Sequence, residues 1–203
     1  MLTIVDYGGG NLTSVFNAFA SIGVASKITS DPEEILQASR IVFPGVGAAG
    51  ASMEVLKDRN LDQAFVAAVN KGIPTLGICV GCQIILDSSE EDGGTSCLKL
   101  MPGKAKRFQQ EEGLKIPHMG WNQVHFSQDH HIFKGIENGS DFYFVHSYHP
   151  VVENSISLAT TEYGTQTFAS VLVKQNLIAT QFHAEKSGRM GLQLLKNFST
   201  WEL

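Results

Sequence analysis

Cysteine is scarce in this chain, at three among 203 residues. An odd and low count excludes a disulfide-stapled secreted scaffold and fits a reducing cytoplasm. No apolar run approaches the roughly 18 residues of a membrane span. The longest stretch, Ile73 to Leu86, is interrupted by Pro74, Gly77, Gly81 and Gln83. The opening Met1-Leu2-Thr3-Ile4-Val5-Asp6 lacks a basic stretch and soon meets an acid, so it does not read as a signal peptide. Basic charge is also in short supply. Fifteen Lys and Arg stand against 20 Asp and Glu, a net charge of −5, which argues against a general binder of phosphate backbones. Neither a membrane nor a nucleic acid is expected as partner. What the chain does have is glycine, 20 residues of it, which suggests tight turns and close approaches of backbone to ligand. Its length suits one domain spanning residues 1–203 and is ample for a buried core.

Strand-like and helix-like segments alternate through the first half. Leu2–Val5 is a short apolar run ending at Asp6 and the turn Gly8-Gly9-Gly10. Leu12, Val15, Phe16, Phe19 and Ala20 then trace one face of a helix. Asp31-Pro32-Glu33-Glu34 is a helix start, with a cap, a proline at the first position and acids behind it. Ile41–Phe43 is a strand, followed by a helix through Leu61, Ala64, Phe65, Ala68 and Val69, and then a strand from Thr75 to Ile78. This rhythm predicts an α/β fold, an open doubly wound sheet that is mostly parallel, with flanking helices. After about Glu90, short strand-like pieces follow at Lys104–Phe108, Gln123–Phe126, Phe142–His146, Ile156–Thr160, Phe168–Val173 and Ile178–Phe182, with no helix between them. They predict an added antiparallel portion. A last helix begins near Ser187.

Gly77-Ile78-Cys79-Val80-Gly81 is the sharpest local signal. G-x-C-x-G at a strand-to-helix junction has the layout of the hydrolase nucleophile elbow, in which a strained turn raises the nucleophile and the glycines avoid a clash. Free N–H groups and the positive end of the following helix favour a thiolate. Two other readings stay open on these residues. Cys79-Val80-Gly81-Cys82 is also C-x-x-C, the pattern of a thiol–disulfide oxidoreductase. It is equally half of a zinc site, which would need a second close pair of ligands. A thiolate hydrolase needs a base and a group that orients it. Of seven histidines, most read as polar turn or surface residues, but His183 ends an apolar strand and precedes Ala184-Glu185. In extended chain, residues two apart share a side, so Glu185 can fix the ring of His183. Pro44-Gly45-Val46-Gly47, at another strand end, offers exposed N–H groups suited to an oxyanion hole.

Together these motifs resemble, in order, those of the class I (triad-type) glutamine amidotransferases. Asp6-Tyr7-Gly8-Gly9-Gly10-Asn11-Leu12, Pro117-His118-Met119-Gly120-Trp121-Asn122 and Tyr143-Phe144-Val145-His146-Ser147-Tyr148 narrow the resemblance to the glutaminase subunits of imidazole glycerol phosphate synthase. The resemblance covers essentially the whole chain. It implies Cys79 as nucleophile, His183 as base and Glu185 as its orienting acid. It implies Val46, Gly47 and Val80 at the oxyanion, and Gly47, Gln83, Ser147 and Tyr148 around the glutamine. Asn11, His118, Met119, Gly120, Trp121, Asn122, Lys186 and Ser187 match partner-facing or signalling positions. The implied partner is a (β/α)₈-barrel cyclase subunit in a heterodimer of histidine biosynthesis, with no cofactor and no metal. A glutaminase serving another ammonia acceptor would look similar. The chain departs from the family pattern in having Ala184 where His-Pro-Glu is usual, and Cys82 where methionine is common.

Overall fold

The computed structural model describes residues 1–202. The elements in chain order are β1 (Leu2–Val5), α1 (Leu12–Ser21), β2 (Ser26–Thr29), α2 (Pro32–Leu36), β3 (Arg40–Gly45), α3 (Ala49–Asp58), α4 (Leu61–Asn70), β4 (Thr75–Cys79) and α5 (Val80–Ile84). Then come β5 (Ser88–Ser89), β6 (Thr95–Ser96), β7 (Lys104–Arg107), β8 (His118–Phe126), β9 (Ser140–His146), β10 (Tyr148–Val151), β11 (Ser157–Tyr163), β12 (Gln166–Lys174), β13 (Leu177–Thr180) and α6 (Gly188–Ser199). Asn11 caps α1 by accepting from the N–H of Ser14, and Asp31 caps α2 by accepting from Glu33, with Pro32 behind it as expected.

One sheet runs in the order β2-β1-β3-β4-β13-β12-β11-β8-β9. Its first five strands are parallel, and β12, β11, β8 and β9 join antiparallel to one another. The expected antiparallel portion is therefore a direct continuation of the parallel half. A smaller sheet, β10-β7-β5-β6, sits beside it. The parallel strands are short and apolar because both faces are covered, with Val42, Leu76 and Ile178 all fully buried. Helices α1 and α6 pack together, as do α2, α3 and α4. In the antiparallel half an aromatic layer fills the core, with Phe142 and Phe182 rings 4.2 Å apart and Phe144 against both Phe168 and Phe182.

Strand register carries this architecture to the site. Gly45 at the end of β3 lies opposite Cys79 at the end of β4, and Ile78 lies opposite Thr180 at the end of β13. Three loops, Pro44–Gly47, Cys79–Gly81 and Gln181–Glu185, thus leave neighbouring strands at the same edge. That edge is where open parallel sheets form their ligand crevice. No helix among the described residues is long and apolar enough to cross a membrane.

Candidate active site

Cys79 sits at the turn from β4 into α5 with φ 55° and ψ −107°, a backbone conformation that L-residues rarely adopt. Such strain, on the order of 1–3 kcal/mol, persists only where the surroundings enforce it. Two glycines make the enforcement possible. A side chain at Gly81 would lie 2.2 Å from the carbonyl oxygen of Phe43, and one at Gly77 would lie 2.8 Å from the carbonyl oxygen of Gly81. Strand, elbow and helix interlock only because neither position carries a Cβ. The helix that follows has only five residues, so less dipole reaches Cys79 than a long helix would supply.

Cys79, Val80, Val46, Gly47, Gln83, Ser147, Tyr148 and His183 line one cavity of about 290 Å³. Every residue expected at the oxyanion or the substrate is thus brought to the same place as the thiol. Glu185 stands behind His183, its carboxylate 2.8 Å from Nδ1, and both side chains are almost fully buried. The backbone of His183 is pinned on both sides. Its N–H donates to the carbonyl of Tyr143 at 2.9 Å, and its carbonyl accepts from the Ser187 hydroxyl at 2.6 Å. Burial alone would pull the His183 ring toward neutrality. The Cys79 thiol and the Glu185 carboxylate outweigh it and lift its pKa to about 10. Nε2 makes no hydrogen bond of its own and remains available at the cavity.

Gln83 is buried, with one amide hydrogen on the Tyr148 carbonyl at 2.8 Å and the other on Gln181 at 3.0 Å. It therefore braces the cavity wall. Gly47 has φ +96°, a conformation suited to glycine in the turn facing the thiol. Tyr7 stacks on Phe43 beneath this turn.

Glu91, Pro117, Val145 and His146 line the cavity as well, and of these only Glu91 lies outside the motifs read from the sequence. Glu91 accepts from the N–H of Ala49 at the start of α3 at 2.6 Å, and burial raises its pKa. Nothing in the local sequence distinguishes Glu91 from Glu90.

Two expected partner-facing residues are corrected. His118 is 3% exposed and Ser187 is 2% exposed. Both side chains are committed inside the chain, His118 to His146 and Ser187 to the His183 loop. His146 and His149 are buried too, where polar turn residues were expected. Met119 and Trp121, by contrast, are 63% and 58% exposed on the outer side of β8, and Lys186 is exposed nearby in sequence to Gly188, which approaches the Trp121 ring. Gly120 takes φ +132° between Met119 and Trp121, and Asn122 is half-buried against His118. Asn11 is occupied as the cap of α1.

All three cysteines are free. Cys82 is fully buried in α5, and burial pushes its thiol well above the ordinary range, which is unfavourable for a redox partner that must ionise. No group of three or more His, Cys, Asp or Glu that could hold a metal occurs among the described residues.

The family described as "Glutamine amidotransferase class-I" matches residues 3–200. The imidazole glycerol phosphate synthase subunit HisH of Dehalococcoides mccartyi (strain CBDB1) is 50% identical over 200 residues, covering 98% of this chain and 96% of that protein. The subunit of the same name from Moorella thermoacetica is 46% identical over 198 residues, covering 97% and 93%. Among solved structures, a glutamine amidotransferase superposes with TM-score 0.72 at 15% identity, covering 98% of this chain and 99% of that one. Another glutamine amidotransferase, from Thermotoga maritima, superposes with TM-score 0.64 at 16% identity, covering 98% and 81%. At these identities the two structures speak for the fold alone. Through the family match and the HisH relatives, the chain belongs to the class-I glutamine amidotransferases, on the branch of the HisH subunits.

Proposed function

We propose that this chain is the glutaminase subunit of an imidazole glycerol phosphate synthase. In this reading it is one domain that hydrolyses glutamine and passes the ammonia to a (β/α)₈-barrel cyclase subunit. The observation that carries the chemistry is the convergence of the strained Cys79 elbow and the His183–Glu185 pair on one small cavity.

The steps follow from the roles these groups can fill. Cys79 sulfur attacks the side-chain amide carbon of glutamine, and the carbonyl electrons move onto oxygen. The N–H of Val80 and a peptide N–H of Val46-Gly47 receive that oxyanion. His183 gives its proton to the amide nitrogen, the C–N bond breaks, and ammonia leaves a thioester on Cys79. Water then attacks, His183 takes its proton, and the C–S bond breaks to release glutamate. Glutamine and water become glutamate and ammonia, with the enzyme restored. Glu185 keeps Nδ1 of His183 protonated and the ring oriented. Glu91 gives the wall a carboxylate that complements the α-ammonium of an amino acid.

Ammonia released into water is largely protonated and no longer nucleophilic, so a receiving subunit must close over its exit. The exposed Met119 and Trp121 on β8 form an apolar rim suited to such a subunit. The sequence match supports the cyclase as that partner. The isolated subunit is expected to be a slow glutaminase, because the partner helps set the Pro44–Gly47 turn.

The test is co-purification from the native cell followed by measurement of glutamine-dependent glutamate release by the complex. Cys79→Ala should abolish release while leaving the ammonia-dependent reaction of the complex intact. Unchanged release would remove Cys79 from the mechanism.

A further inference from the structure

His146 lines the cavity and His118 lies behind it, both outside the catalytic pair, and an unbroken chain of hydrogen bonds joins them to the Tyr148 carbonyl in the cavity wall. His146 Nδ1 lies 2.8 Å from the carbonyl oxygen of Tyr148, which lines the cavity. His146 Nε2 lies 3.0 Å from His118 Nδ1, and His118 Nε2 lies 3.2 Å from the amide nitrogen of Asn122. That amide also donates to the carbonyl of Glu162 at 2.8 Å, and its oxygen accepts from the N–H of Gln123 at 2.8 Å.

The polarity of every link is forced. The Tyr148 carbonyl can only accept, so His146 must carry its hydrogen on Nδ1. A neutral His146 then accepts at Nε2, so His118 also carries its hydrogen on Nδ1. His118 accepts in turn at Nε2 from Asn122, whose orientation is fixed by Gln123. Burial holds both rings neutral: it takes His118 down to about 4 and His146 well below its ordinary range. The other lone pair of the Tyr148 carbonyl is filled by Gln83 from the elbow helix. One carbonyl is therefore gripped from α5 on one side and from β9 on the other.

Packing alone does not explain two imidazoles here. Phe108, Phe144, Tyr163 and Phe168 surround them, and an apolar ring would fill such a space without the desolvation penalty of a polar one. What the imidazoles add is direction.

We propose that His146, held in a single tautomer by His118 and Asn122, is a positioning residue for glutamine: it fixes the Tyr148 carbonyl and thereby sets the Ser147–Tyr148 wall that receives the amino-acid end of the substrate. The proposal rests on the glutaminase reading above. It assigns to β8 and β9 a part in substrate affinity, separate from the chemistry at Cys79.

The experiment measures kcat and KM for glutamine on the complex isolated from the native cell, for the parent and three variants. Asn at position 146 keeps a donor near the Nδ1 position, whereas Gln places its amide near Nε2 and loses the bond to Tyr148. His146→Gln should raise KM about tenfold with kcat held within about threefold, the signature of an interaction made equally before and during reaction. His146→Asn should stay within about threefold of the parent in both constants. His118→Leu, which frees His146 to adopt the opposite tautomer, should follow the Gln variant. Equal effects of Asn and Gln, or an unchanged KM in the Gln and Leu variants, overturn the assignment. If His146→Gln does not fold, His118→Leu decides alone by the same KM criterion. A parent complex that releases no glutamate, or releases it with Cys79→Ala, defeats the glutaminase reading and this proposal with it. A working parent with insensitive variants defeats this proposal only.

Discussion

Two groups of histidines are buried to nearly the same degree and carry opposite tendencies. His183 is 2% exposed, His118 3% and His146 6%. His183 is lifted to about 10, while burial takes His118 down to about 4 and His146 down as well. Depth is therefore not what decides. His183 has a carboxylate at 2.8 Å and a thiol beside it. His146 has only another imidazole and a carbonyl for partners. The same side chain is proposed as a proton carrier in one place and a fixed strut in the other, and the difference lies in two neighbours, the Cys79 thiol and the Glu185 carboxylate, of which the acid is the one that holds Nδ1.

The most forceful way to break this comparison is to remove that acid. Glu185→Gln should make His183 resemble His146, with its tautomer no longer enforced. Glutamate release by the complex should then fall about 10³–10⁴-fold, the scale of losing the orienting acid of a triad. A fall of less than tenfold would mean that the Cys79 side of the ring suffices.

The second prediction concerns pH. The ordinary histidine value is 6.5 and His118 sits near 4 in the folded chain. Between these values the unfolded chain binds the proton and the folded one does not. Its contribution is complete above 6.5 and is lost as pH falls toward 4. His183 has the opposite sign: its contribution is complete below 6.5 and is lost as pH rises toward 10. The melting temperature should accordingly decline on both sides of neutrality. Each kcal/mol lost should lower it by about 2–4 °C for a chain of this size. His118→Leu should flatten the acid side only. A melting curve series with an unchanged acid side in that variant would assign the decline to other groups.

The smallest expected effect is at Ala184. It opens the single helical turn Ala184–Lys186 that holds Glu185 against His183. The first position of such a turn accepts a proline, which lacks only an N–H that has no intrahelical partner. Ala184→Pro should leave kcat within about threefold and raise stability by roughly 0.4–1 kcal/mol through the unfolded chain. A large gain in kcat would show that the present loop is loose around the catalytic pair.

The candidate catalytic edge was legible because its residues announce themselves in short windows. The glycines around Cys79 follow from local sequence, and so does the nearness of Glu185 to His183, but not its geometry: β13 ends at Thr180, three residues before His183, and Glu185 sits in the helical turn Ala184–Lys186 rather than in extended chain. The parts that were not legible fail for physical reasons. β2, Ser26–Thr29, is an edge strand without a buried residue, so it has no apolar run to detect. β10, Tyr148–Val151, contains Pro150 and is an edge strand of the smaller sheet, where a missing N–H is tolerated. α3 is weakly patterned, its buried face consisting of Ala49, Ser52, Met53 and Leu56. His118 looked like a surface residue beside exposed Met119. Strand alternation sends the two to opposite sides, and pairing with His146 across β8 and β9 is a long-range fact. Glu91 reaches the cavity through a loop whose path no local rule dictates.

The burial of the thiols has a practical consequence. Cys82 is sealed in α5, and burial pushes the Cys97 thiol up to about 11. Cys79 alone opens onto the substrate cavity. To a soft electrophile in neutral solution, a chain with three free cysteines therefore presents one. Reagent consumed per mole of folded protein counts accessible Cys79 thiols, and the same arrangement concentrates oxidative damage on the one sulfur proposed as the nucleophile.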